Sequence, residues 1–151
     1  MHSCINIANE ILRLAKEQNT PLTPLKLMKM VFLSHGWMLG FYGKPLVKES
    51  IEAWQYGPVI PLLYQAIKHF RSLPVDYPLE NFDLKEITEE EEELIQEVYR
   101  KYIKFSGVEL SSLTHMPGSP WDITWSLYGK NVSISNDLIE DYYKKQLSHP
   151  A

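Results

Sequence analysis

Ile7, Ala8, Ile11, Leu12 and Ala15 recur at the spacing of one helix face, which predicts an opening amphipathic helix that ends near residues 17–20. A second helix starts at Thr23-Pro24. There the Thr hydroxyl can accept an unpaired N–H, and Pro24 sits in the first turn, where no N–H bond is made. Leu25, Met28, Phe32 and Leu39 form one stripe along it, and Leu27, Val31 and Met38 a second. A helix apolar nearly all round belongs at the centre of a fold. Gly43 and then Pro45 end it. Residues 50–56 alternate, with Ile51 and Ala53 against Glu52, Trp54 and Tyr56, and predict a short strand that Gly57-Pro58 terminates and turns toward a helix. Pro61 opens that third helix, which carries Leu63, Ile67 and Phe70 and stops before Pro74.

Residues 72–87 are irregular, yet Val75, Tyr77, Leu79, Phe82 and Leu84 predict a loop packed on the body. Thr88 with Glu91 makes a capping box ahead of Leu94, Ile95, Val98, Tyr99, Tyr102 and Ile103. Ser106 with Glu109 repeats the pattern, and Ser119-Pro120 pairs a cap with a first-turn proline. Residues 132–134 suit a short strand, and Ser135 caps a last helix carrying Leu138, Ile139, Tyr142, Tyr143 and Leu147. The expected fold is mainly α: one compact domain over residues 1–151, with six or seven helices and a short two-stranded β element.

Composition narrows the function. The net charge of −4, from 15 basic and 19 acidic residues, argues against a nucleic-acid binder that works through a positive field. The single cysteine, Cys4, removes any internal disulfide, and with no signal-like start and no membrane-length apolar run the expectation is a cytoplasmic protein. The five histidines and Cys4 show no zinc-like spacing, and no dinucleotide, P-loop or zinc-protease motif occurs, so neither metal nor cofactor is expected. His115 and Asp122 lie close enough in sequence to suggest an acid–base couple, and so a hydrolase. A histidine just after a short helix and before Pro117-Gly118 also suits the bonding of freed carbonyls. His35, on the central helix, reads as a satisfied core histidine. Lys26 and Lys29, one turn apart, suit either a solvated face or an acidic partner.

The segment TPLKLMKMVFLSHGWMLGFYGKPLVKESIEAWQYGPVIPLLY, followed later by LTHMPGSPW and the terminal DLIEDYY, resembles the two motif blocks of the Panacea family of SocA-like, phage-associated antitoxins. The blocks frame nearly the whole chain. The resemblance implies an antitoxin that neutralises a toxin from an adjacent gene by direct protein binding, in some relatives as an adaptor to a protease of the AAA+ class. The chain reads as the antitoxin domain without the N-terminal DNA-binding module of some members. The alternatives are a phage-associated regulator that binds host factors and, from another class, a hydrolase acting through His115 and Asp122.

Within these blocks Pro24, Gly43, Pro45, Gly57, Pro58 and Pro120 read as structural. Lys26, Lys29, Trp54, Tyr56, His115 and Trp121 are the expected partner-binding positions, because the family motifs place polar or amphipathic groups there that folding does not obviously need. Trp54 and Trp121 also suit buried rings with internally bonded indoles.

Overall fold

The computed structural model describes residues 1–148. Helix α1 (Cys4–Glu17) is capped by the Ser3 hydroxyl and buries Ile7, Ala8, Ile11, Leu12 and Ala15. Helix α2 (Pro24–Tyr42) starts on Thr23, whose side chain accepts from Lys26 N, and ends at the left-handed Gly43. Every residue from Leu27 to Gly40 is buried, as its all-round apolar pattern predicts.

Strand β1 (Glu52–Trp54) turns through Gln55-Tyr56 into β2 (Gly57–Val59), and β3 (Val132–Ser133) pairs with the other edge of β1. Gly57-Pro58 therefore does not terminate the strand. These residues start its return, and the sheet has three antiparallel strands in the order β2-β1-β3. Pro58 is compatible with this because it lies on an edge strand. Helix α3 (Pro61–Ile67) tightens into a 3₁₀ turn at Lys68–Phe70.

The loop over residues 71–87 docks through Val75, whose N–H donates to Leu22 O, and through Leu79. Phe82 and Leu84 stand out in solvent, contrary to the packing expected of them. Both predicted capping boxes form, at α4 (Glu89–Tyr102) and α5 (Gly107–Thr114). Ser119 caps α6 (Pro120–Tyr128), and the Ser135 hydroxyl accepts from Asp137 N at the start of α7 (Asn136–Ser148).

Helices α1, α4, α5 and α7 all pack on α2. The approach of α7 is the tightest. A Cβ at Gly36 or Gly40 would lie 2.5 or 2.7 Å from the Tyr143 side chain, so the two glycines let that ring lie against the α2 backbone. His35 is a satisfied core histidine: Nδ1 accepts from the N–H groups of Leu46 and Val47, and Nε2 bonds Asn136 Oδ1. Among the described residues no helix is long and apolar enough to cross a membrane.

Candidate functional site

The β1–β2 hairpin stands where α2, α5 and α6 converge, and each helix holds one of its carbonyls. Trp121 Nε1 of α6 donates to Trp54 O at 2.6 Å, Ser111 Oγ of α5 donates to Tyr56 O at 2.7 Å, and Lys29 Nζ of α2 donates to Pro58 O at 3.0 Å. Three acceptors at alternate positions are thus satisfied by three elements. A turn with its carbonyls free would be left to water, whereas this one is fixed to the body.

Gly57 makes the arrangement possible. Gln55 and Tyr56 keep negative φ, so the left-handed requirement of the turn falls on Gly57, at φ +126°. Its missing side chain also leaves room. A Cβ there would lie 2.7 Å from Lys29 Nζ and 3.6 Å from His115 Nδ1.

Lys29 is 1% exposed. Burial, with no carboxylate partner among the described residues, pulls its ammonium from the ordinary 10.5 down to about 8. Lys26 lies closer to solvent and donates to Ile103 O, placing a cation at the negative end of α4, and its own burial lowers its pKa. Both lysines therefore face the molecule. Trp121 is likewise buried, stacked on Trp125 with centroids 5.2 Å apart and with the His115 ring edge-on at 5.2 Å.

His115 does not hold the carbonyls that its place after α5 suggested. Its ring turns inward onto Trp121, and Nδ1 is buried without a hydrogen-bond partner among the described residues. Asp122 is engaged elsewhere, accepting from Gly118 N at 2.9 Å and from Ser126 Oγ. No hydrogen bond joins the two, and the acid–base couple is not assembled. Among the described residues no three His, Cys, Asp or Glu side chains gather as a metal set.

Trp54 and Tyr56 face outward. The Trp54 indole donates to Glu52 Oε1 on the same face of β1, and Tyr64 of α3 packs against its ring at 5.0 Å. Tyr56, at the tip, is 71% exposed. Tyr64 is itself 37% exposed, and Leu62 of α3 and Leu127 and Tyr128 of α6 are exposed on the helices that adjoin the hairpin. Ser111, Tyr64 and Trp125 also belong to the site, beyond the positions expected from the sequence. Tyr64 closes the first motif block and Trp125 lies one turn beyond Trp121, so both carried a signal, whereas Ser111 sits among other small polar residues and carried none.

The family described as Antitoxin SocA-like, Panacea domain, matches residues 27–122, a span that contains the hairpin and all three side chains that hold it. The chain belongs to this family. Antitoxin SocA of Caulobacter vibrioides (strain NA1000 / CB15N) is 28% identical over 156 residues, covering 93% of this chain and 81% of that protein. No solved structure matches the chain. Panacea-family membership supports an antitoxin role. The structural motif positions here do different work from one another: Pro24 and Pro120 start helices, Gly43 ends one, Gly57 and Pro58 form the return strand, and Pro45 lies in the loop between α2 and β1.

Proposed function

We propose that this protein neutralises a toxin encoded by a neighbouring gene by binding it directly through the face of the β1–β2 hairpin. The toxin meets Tyr56 and Trp54, with Tyr64 alongside. Lys29, Ser111 and Trp121 act beneath the surface, as positioning residues for the turn. His115 supports Trp121 from the adjoining turn. The observation that carries this reading is the fixation of three hairpin carbonyls under an exposed tyrosine. An aromatic carried on a fixed backbone loses little backbone freedom on binding, and Tyr and Trp are among the residues most enriched in binding hot spots.

No catalytic step is involved. Neutralisation by mass action needs a dissociation constant well below the working concentration, about nanomolar, or roughly −12 kcal/mol. The test is co-expression with the product of the adjacent gene, followed by pull-down. Growth rescue together with a stoichiometric complex is expected. Persistent toxicity with no complex would refute the assignment for that neighbour.

A further inference from the structure

A second surface lies away from the hairpin, along the flank of α2 between α4 and α7. The two helices pack on α2 as separate walls, leaving a groove of about 700 Å³ floored by Leu33 and Trp37. Leu94, Val98 and Tyr102 line the α4 wall, and Tyr142, Tyr143 and Leu147 the α7 wall. The slot is open at its margins, where Phe41 is 57% and Leu147 41% exposed. From Glu93 to Tyr102 the α4 wall rises about 14 Å, the length of two to three helical turns. An apolar groove of this length between two helices has the form that an amphipathic helix can fill by setting its side-chain ridges between theirs.

Among the described residues that line the groove, charge lies along one wall only. Glu93 and Glu97 stand one turn apart on either side of the middle of α4, while Lys101 lies a turn further on, with its ammonium 4.5 Å from the Trp37 ring centroid. Glu97 is paired with Arg100 on its own helix, whereas Glu93 has no ion pair among the described residues. The α7 residues that line the groove, Tyr142, Tyr143, Gln146 and Leu147, are uncharged. An occupant would therefore meet an apolar floor, one neutral wall, and one wall that is acidic at the unpaired Glu93 and its neighbour Glu97 and cationic at Lys101.

We propose that this groove receives an amphipathic helix of a partner protein, with its apolar stripe on Trp37, Phe41 and Tyr142 and a lysine or arginine against Glu93 and Glu97. Helix-in-groove recognition of this type uses anchors at i, i+3 or i+4, and i+7, which a stripe along two to three turns supplies. The site is distinct from the hairpin face and does not depend on the toxin-binding reading.

The test uses the full chain and two labelled synthetic amphipathic helical peptides of about four turns, identical in their leucine stripe and differing in a lysine or glutamate polar face. Fluorescence anisotropy should show the lysine peptide binding at least about tenfold more tightly than the glutamate peptide. The double change Phe41→Ala/Leu147→Ala, at exposed margins of the groove, should weaken the lysine peptide by at least about tenfold while leaving the melting temperature within a few degrees. Glu93→Lys/Glu97→Lys should reverse the preference, and Tyr56→Ala should leave it unchanged. Equal binding of the two peptides, or binding insensitive to the Phe41/Leu147 change, would overturn the proposal. So would self-association abolished by that change, because the occupant would then be a second copy of this chain.

Discussion

The hairpin face and the α4–α7 groove both display aromatic residues, but they are built by opposite means. In the hairpin, backbone polarity is consumed internally: the carbonyls of Trp54, Tyr56 and Pro58 each meet a donor from a different helix, and the side chains that remain outside stand on a fixed turn. In the groove the backbone is already satisfied within helices, and apolar surface is left uncovered because α4 and α7 stand apart over α2. The first surface is rigid and specific in shape. The second is a gap in packing whose value lies in the area an occupant would bury. Motif residues therefore serve the hairpin from inside as well as from outside, which separates Tyr56 from Lys29 although both lie in one motif block.

The largest effect should come from the inside. Trp121→Ala removes a buried ring stacked on Trp125 and the donor to Trp54 O, and should cost about 3–5 kcal/mol in denaturant unfolding. A smaller loss, with an intact hairpin, would break the distinction drawn between support and surface.

Lys29 supplies the next test through pH. Its folded pKa of about 8 lies below the ordinary 10.5, so between these values the unfolded chain binds the extra proton and stability rises with pH, by at most about 3 kcal/mol. Buried tyrosines oppose this trend, because burial raises Tyr102 and Tyr143 and so favours the unfolded state as they ionise. The difference between wild-type and Lys29→Met profiles isolates the lysine. Across pH 8–10.5 the wild type should gain on the variant, and parallel profiles would show that the ammonium is not desolvated.

Gly57→Ala should cost about 2 kcal/mol, since a side chain at φ +126° is strained and its Cβ meets the Lys29 ammonium. Thermal unfolding reads this directly. An unchanged melting temperature would mean that the turn relaxes freely. Phe41→Ala, on the groove margin, should shift stability by no more than about 0.5 kcal/mol. A loss of several kcal/mol would show that the groove is core and has no room for an occupant.

Local signals in the chain were legible where one residue type has one physical use. Thr23-Pro24, Thr88 with Glu91, Ser106 with Glu109 and Ser119-Pro120 each start a helix as their chemistry requires. The nearly all-round apolar pattern of α2 also placed it at the centre. Long-range partnerships were not legible. Gly57-Pro58 reads locally as a terminator, and only pairing with 52–54 makes it a strand. Lys29 looks like a surface lysine until Pro58 O, 29 positions away, is seen to accept from it. The groove left no trace because it arises from the spacing of two helices, and Phe82 and Leu84 were misjudged because an apolar residue in a loop need not find a neighbour.

The central claim is that the hairpin face, held rigid from beneath, is where the toxin binds. Titrating the adjacent-gene toxin into wild-type protein and into Tyr56→Ala, with melting curves on the same samples, tests it most directly. The account predicts a loss of about 2 kcal/mol or more in affinity, roughly thirtyfold, with stability shifted by no more than about 0.5 kcal/mol. Wild-type affinity in Tyr56→Ala, or a loss matched by unfolding, would contradict it.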